Sequence, residues 1–578
     1  MDIEFEDLTI HDRKIIVGID FGTTFSGVAW AETQRADRRS AITSWPVSKT
    51  ILAGETSEKV PTRLWYNGKK AEWGFTIPPS APAEEIIEWF KLELDDSLGS
   101  MQSQIRSVGA RGGRKVETLV TDYISALGEH LMYTLKQKLG EPVVKSVDIE
   151  FVVTVPAIWS DLAKERTRLA CRVAKSLPKS NAPIHMISEP EAAAIYALHG
   201  LDPHGLKVND CFLVCDAGGG TVDLIAYTIT KLKPVLEVEE ATAGTGGLCG
   251  SSFLNRRFVS FLKNRIGHLD GFDDELLAEA VDKFEKTVKR QFTANARPND
   301  SFAIPVGGLQ DKPELGIRRG RFALKASDLH AIFEPVVQEV IQLVKQQISD
   351  CKIPIRGVLM VGGFGASNYL KERLRNAIDK KIIVLQPPNA WLAVVHGAVM
   401  KGLALSAPAQ LTTVRVQNRK ARKHYGMQWD TTYSDDIHRP YSASAYYCKM
   451  DGCRKISVMN WFIKRGDDVS ENKPYLTSFV WHIPASQGRF GKMSLNIYAD
   501  NNNRQAVVKR DERVATLCRL EADLSHIPES ELIHHQGADG LMYLKVRCEI
   551  ESVYMSAYTQ YTLIHKNQRY NTVTAEYV

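Results

Sequence analysis

Two short segments carry the same chemistry-bearing residues in the same order. IIVGIDFGTTFSGVAW (Ile15 to Trp30) and CFLVCDAGGGTVDLIAY (Cys211 to Tyr227) each run from an apolar stretch ending in Asp, through a turn rich in Gly and Thr, into a second apolar stretch. Glycine has no Cβ, so its backbone can approach a phosphate closely. Successive amides in such a turn form an anion nest, and threonine hydroxyls add donors. Gly22, Thr23 and Thr24 supply one such cradle; Gly218, Gly219, Gly220 and Thr221 supply the other. A strand-end carboxylate beside a phosphate makes sense only with a cation or water between them. Asp20, Asp216 and Asp223 are therefore candidates to face Mg2+ through its water shell, as that cation prefers. Either turn alone reads most simply as a hairpin that uses Asp and Gly for backbone reasons. Two matched turns about 200 residues apart point instead to a phosphate clamp between two related lobes. The clamp is not a P-loop, and GTGGLCG at 244–250 lacks the spacing of a dinucleotide turn.

The elements that must hold these turns alternate. Strand-like runs IIVGID, VDIEFVVTVP, CFLVCD, LIAYTI and GVLMVGG are separated by helical patterns at Val120 to Leu139, Leu162 to Leu177, Pro190 to Leu198 and Asp274 to Phe292. This predicts an α/β domain over 13–403, with lobes at about 13–205 and 206–403. Residues 404–424 are polar and basic and read as a solvated connector. Beyond it, period-two segments such as YLKVRCEIES (Tyr543 to Ser552) predict a smaller, mostly β, sandwich-like domain over 425–578. No long helical pattern follows to form a lid.

Composition narrows the class. Of 578 residues, 44% are hydrophobic and 24% charged, and the net charge is 73 − 68 = +5, which is ordinary for a globular protein. It makes no case for nucleic-acid binding. No run of eighteen apolar residues suggests a membrane span, and MDIEFEDLTI lacks the pattern of a secretory signal. The expected location is the cytoplasm, with the nucleus also open. Nine scattered cysteines suit buried thiols rather than bridges. Cys448, Cys453 and His438 have poor spacing for zinc and read as loop residues.

VGIDFGTTFSGVAW and CDAGGGTVDL resemble the two phosphate motifs of the actin-like ATPase superfamily, and more narrowly those of the DnaK-type 70-kilodalton heat-shock proteins. TVPAIW (154–159), ISEPEAAAIYALHG (187–200), ATAGTGGLCGSSF (241–253), LMVGGFGASNYL (359–370) and HGAVMKG (396–402) agree in order. WFKLELD at 89–95 and the ending NTVTAEYV are more similar to the divergent branch that holds heat-shock protein A member 12 and fungal relatives. The resemblance implies two ribonuclease-H-like lobes with ATP or ADP between them. It implies phosphate contacts from Thr23, Thr24, Gly218, Gly219, Gly220 and Thr221, and Mg2+ with its waters at Asp20 and Asp216. It gives catalytic roles to Lys91 at the γ-phosphate, to Glu189 and Asp223 near the attacking water, and to Asp216 and Thr221 beside them. Lys289, Arg290 and Thr293 match adenosine-side positions, as do Gly362 and Gly363.

The chain also departs from that family. Phe364 and Ala366 replace a serine and an arginine, so Phe364 is a candidate to stack on the base instead. Lys286 stands where a glutamate is expected, and Trp391 where an aspartate is usual. Cys249 to Ser252 replace an acidic segment. Pro156 matches the family's switch proline, but its partner arginine reads Lys164. The expectation is a Mg2+-dependent, slow ATPase that couples nucleotide state to a β domain binding a protein or peptide client, with a co-chaperone or exchange factor as a further partner. The alternative is a nucleotide-dependent scaffold with little turnover. A small-molecule kinase of the same superfamily fits the β tail poorly.

Overall fold

The computed structural model describes residues 13–577 except 49–54, 69, 97–112, 176, 178–183, 202–204, 472, 501–504 and 571–573. The acidic N-terminal segment and part of NTVTAEYV lie outside the described residues. The chain forms two compact units, Met1–Val416 and Gln417–Val578.

The first unit repeats one topology twice. In the first lobe β1 (Lys14–Asp20) turns into antiparallel β2 (Phe25–Glu32). On its other side β1 pairs in parallel with β3 (Asp148–Val155), which pairs in parallel with β4 (Ile184–Ser188). In the second lobe β5 (Cys211–Ala217) turns into antiparallel β6 (Val222–Lys231), followed by β7 (Leu236–Gly247). β5 pairs in parallel with β8 (Ile355–Val361), and β8 with β9 (Ile383–Leu385). Each hairpin thus sits mid-sheet with its Gly-rich turn at the strand end. β5 is buried at every position, which explains its unbroken apolar run.

Helices cover the sheets. α1 (Val116–Leu139) buries Leu119, Val120, Tyr123, Ile124, Leu127 and Leu131, a three-and-four stripe, against the first lobe. α2 (Asp161–Val173) starts at Ser160, whose hydroxyl accepts from the Ala163 amide at 3.2 Å. α3 (Glu189–Leu201) leaves β4 and packs its Ala-rich face with Phe212, Val214, Ile225 and Tyr227 of the second lobe. The second lobe carries α4 (Ser252–Ile266), α5 (Asp274–Lys283) and α6 (Ala326–Asp350). α7 (Ala393–Ser406) returns, setting Val395, Val399 and Leu403 on Ile16, Ala29 and Ala31 of the first lobe. α3 and α7 cross where a Cβ on Gly397 would lie 1.7 Å from the Ala192 carbonyl oxygen.

The helical pattern expected unbroken from Asp274 to Phe292 is interrupted. After α5 the chain makes a π-turn over Phe284–Val288, then one more α-turn at Lys289–Gln291. The extra residue in the π-turn rotates that last α-turn relative to a straight α-helix.

Residues 404–424 take regular structure instead of forming a solvated connector. Ser406 ends α7, Pro408–Leu411 is a short helix, Val414–Lys420 is a strand, and another strand begins at His424. Their basic residues are paired: Arg415 with Glu237 (3.5 Å), Arg419 with Glu471 (2.8 Å) and Lys420 with Asp468 (2.6 Å).

The second unit is two sheets around one core. One sheet contains His424–Thr432, Cys453–Ile463, Lys492–Asp500 and Ala515–Asp523; the other contains Tyr475–Pro484, Met542–Tyr554 and Thr559–His565. Met427, Ile497, Cys518 and Leu520 of the first meet Leu544, Val546, Cys548 and Ile550 of the second. Glu551 is buried and held by Arg569 at 2.7 Å. All nine cysteines are free thiols.

Candidate functional site

The two turns face each other across the gap between the lobes of the first unit. A Cβ on Gly219 would stand 2.2 Å from the Thr24 hydroxyl, and one on Gly220 2.6 Å from that of Thr23. Only glycine lets the second turn come this near the first. The second turn is held from behind. The carbonyls of Gly218, Gly219 and Gly220 accept from the amides of Ser251, Ser252 and Gly250 at 3.1, 2.9 and 3.2 Å. A trans peptide sets its N–H opposite its carbonyl, so the amides of Gly219, Gly220 and Thr221 point away from that support. Three such amides in a row are what an anion nest requires. The Cys249–Ser252 segment, where the sequence departs from the family, is thus the scaffold of the turn.

A cavity of about 320 Å³ runs along this gap, within the range that small ligands use. Asp20, Gly22, Thr23, Thr24, Lys91, Glu189, Asp216, Gly218, Gly219, Gly220, Thr221, Lys289, Arg290, Gly362, Gly363 and Phe364 all line it. Two expected residues do not. Thr293 follows the α-turn that ends at Gln291 and lies outside the lining. Asp223 sits behind its turn, where Oδ1 accepts from the amides of Ala157 and Ile158 at 3.0 and 3.3 Å. Its geometry anchors the segment after Pro156 and does not place it at the cavity.

Local structure aims Lys91 inward. Trp89 has φ +58°, a left-handed conformation uncommon for a bulky residue, and opens the short 3-10 turn Phe90–Leu94. Lys91 lies between the rings of Phe21 and Trp159, at 5.5 and 5.3 Å from their centroids, and pairs with Glu189 at 2.6 Å. Burial pushes the Glu189 carboxyl up to about 7; Lys91 opposes this, and Asp20 and Asp223 add to it. Burial also raises Asp216 well above its ordinary value, reinforced by Glu189, Asp223 and Asp20. Because the folded state holds the Glu189 proton more tightly, its contribution to stability is present at acid pH and lost as pH rises through about 7. Glu189→Gln should flatten the fall in melting temperature between pH 4.5 and about 7, read by thermal melts across that range.

Sequence reasoning missed further lining residues, chief among them Glu285, Trp391 and Lys59. Glu285 is the acid of the helix, not a residue at position 286: the π-turn brings Glu285 to the cavity, while Lys286 faces outward and pairs with Asp282 at 2.8 Å. Glu285 accepts from Asn255 Nδ2 at 3.1 Å, and Lys289 is held by Asn255 Oδ1 at 2.9 Å. Trp391 meets Phe25 edge-on at 5.8 Å and lies under the Arg290 guanidinium, also at 5.8 Å. With Phe364 these rings make up the aromatic part of the cavity wall. Lys59 lies with the acidic part. Its Nζ is 2.5 Å from Asp20 Oδ2, and the other oxygen of Asp20 takes the Thr154 hydroxyl at 3.3 Å. No sequence pattern links residues 20 and 59. Outside this cavity, His438 accepts from the Ser434 amide and Cys448 donates to Asp451, each at 3.0 Å.

The glycine cradle fits a polyphosphate. A Mg2+ shared by Asp20 and Asp216 fits less well, because Asp20 already holds an ammonium.

The sequence profile of the Hsp70 protein family matches residues 107–418. The chain belongs to the Hsp70 family. Its first unit is therefore the actin-like ATPase domain of an Hsp70 protein, and the match includes the second turn. Residues 419–563 match a domain of unknown function, DUF8568. The chain is similar to heat shock 70 kDa protein 12A of Mus musculus, 23% identical across 88% of this chain and 85% of that protein. It is 22% identical to heat shock 70 kDa protein 12B of Homo sapiens, across 68% of this chain and 69% of that one. A chaperone protein HscA homolog of Rickettsia bellii is 25% identical across 69% and 58%. An Hsp70 domain implies nucleotide binding. Among the described residues no helix is long and apolar enough to cross a membrane.

Proposed function

We propose that this Hsp70 protein binds ATP and ADP in the interlobe cavity, with the phosphates on the paired turns and the purine at the aromatic part of the wall beside Trp391, Phe364 and Arg290. The observation that carries this reading is the approach of Gly219 and Gly220 to Thr24 and Thr23, which brings the two turns together on the lining of one cavity. Lys91 would meet the terminal phosphate as a compact charge, and Glu189, beside it, would orient a water. Hydrolysis would be slow, and nucleotide state would be passed to the β domain, which would hold a protein or peptide client. A cytoplasmic or nuclear location suits nine free thiols.

Titration of the full chain with ATP, ADP and GTP, followed by phosphate release, tests this. Adenine nucleotides are expected to bind, and Gly219→Val to weaken them by at least about tenfold, because its side chain enters the space of the Thr24 hydroxyl. Unchanged affinity in Gly219→Val would remove the phosphates from this turn. The second reading, a nucleotide-dependent scaffold with negligible turnover, is favoured by the ammonium on Asp20 and by the tie between Lys91 and Glu189. Tight binding without phosphate release would select it.

A further inference from the structure

Lys59 is placed with precision. The segment Val60–Pro61 pairs antiparallel with Phe25 and Ser26, directly after the first turn, and so carries residue 59 to the root of β2. The Lys59 stem lies over Gly27, where a Cβ would stand 3.3 Å from Lys59 Cγ; glycine at 27 leaves it room. The Lys59 carbonyl accepts from the Ser57 hydroxyl at 2.7 Å. The Lys59 and Asp20 side chains are only 7% and 6% exposed. Burying such a pair is expensive, and it is kept stable only by close geometry and satisfied partners. Here the Nζ–Oδ2 distance is 2.5 Å, and Thr154 serves the remaining oxygen.

Asp20 and Asp216 are the strand-end carboxylates of the two matched turns. Both line the cavity with the two phosphate turns, and so does Lys59 itself. Asp20, Asp216 and Glu189 bring three carboxyls to the lining beside these turns. Lys91 balances one of them directly, through its ion pair with Glu189. A polyphosphate entering here needs a cation between itself and the acids, and a lysine ammonium is a competent point charge for phosphate.

Resting on the nucleotide reading, we propose that Lys59 is a resident cation of the cleft. It supplies from the chain part of the neutralisation between Asp20, Asp216 and the phosphates, so that nucleotide di- and triphosphates bind without needing a divalent metal. A metal seeking Asp20 must first displace a buried ammonium, which costs it the advantage it would have over an open carboxylate.

The test is the dissociation constant of ADP and ATP for the full chain, measured calorimetrically with Mg2+ and again with excess EDTA. For the wild type the two values should agree within about threefold, less than the worth of one charged contact. Lys59→Thr should bind poorly in EDTA and regain about tenfold or more with Mg2+. Circular dichroism and melting temperature would show that the variant is folded. Should it fail to fold, Lys59→Arg, which keeps the charge, is expected to stay metal-independent, and the wild-type comparison stands on its own. Wild-type binding that collapses in EDTA overturns the proposal and leaves the nucleotide reading intact. No binding under either condition overturns both.

Discussion

Replacing Gly397 with alanine should destabilise the ATPase domain by more than about 2 kcal/mol. The sign is unusual. Gly397 lies inside α7, and in an exposed helix Gly→Ala gains about 0.8–1.0 kcal/mol. Here the added methyl would stand 1.7 Å from the carbonyl oxygen of Ala192 and 2.4 Å from its carbonyl carbon. Those are backbone atoms of α3, so no rotamer change relieves the clash. α3 and α7 must separate, and both are packed on their other sides. α3 carries Ala193, Ala194 and Ala197 into a core with Phe212 and Val214, and α7 carries Val395 and Val399 onto Ile16. Separating them opens cavities in two cores, a cost of the same order as the overpacking itself. Thermal melts of the full chain would show a lowered first transition, or the variant would be recovered only as aggregate. Because α3 begins at Glu189 and α7 follows Trp391, nucleotide affinity should fall as well. An unchanged melting temperature would mean that the helices do not cross this closely.

Much of this architecture could be read from residue types, because the information is local. The two Asp-Gly-Thr turns are legible as each lies between apolar strands, and the strands formed at β1, β2, β5 and β6. The alternation at Leu544, Val546, Cys548 and Ile550 gave a half-buried strand for the same reason: side-chain direction in a strand depends only on parity. The features that escaped are those fixed by distant partners or by one extra residue. Lys59 is an ordinary lysine in Glu-Lys-Val-Pro until the pairing of Val60 with Ser26 carries it to Asp20. Glu285 was hidden because the family match set the expected acid at position 286, whereas the π-turn over Phe284–Val288 leaves Glu285 on the cavity and Lys286 outside it. Thr293 falls outside the lining because the last α-turn ends at Gln291. Asp223 looked like a cavity residue because it follows the Gly-rich turn and matches a family acid, but its carboxylate turns towards the Ala157 and Ile158 amides. The connector was misread because its basic residues resemble a solvated run. Their acidic partners, Glu237, Asp468 and Glu471, lie far away in sequence.

Asp216→Asn should raise the melting temperature of the nucleotide-free protein at neutral pH while removing turnover, a combination that an ordinary structural aspartate does not give. Asp216 is buried at the end of β5 and confined by Gly362, whose φ of +80° brings its Cα so near that a Cβ would lie 2.6 Å from Asp216 Oδ1. Burial, with the charges of Glu189, Asp223 and Asp20, drives its carboxyl well above the ordinary range; Lys59 works against this. The folded state therefore binds this proton more tightly than the unfolded chain. The associated stability is present at acid pH and is lost as pH rises. Asparagine has nearly the same shape and no charge to lose, so the variant should gain most over the wild type at high pH and least at low pH. Removing one negative charge beside the phosphates should also leave nucleotide affinity equal or tighter, provided Lys59 supplies the cation. Phosphate release, where the wild type shows it, should fall by about a hundredfold, the cost of losing one charged group placed for the transition state. Melting curves from pH 5 to 8, calorimetric affinity and single-turnover phosphate release separate the three effects. A variant that melts below the wild type at every pH would show that Asp216 holds the fold together. One that melts higher, binds nucleotide and does not turn it over would show that its charge is kept, against stability, for chemistry.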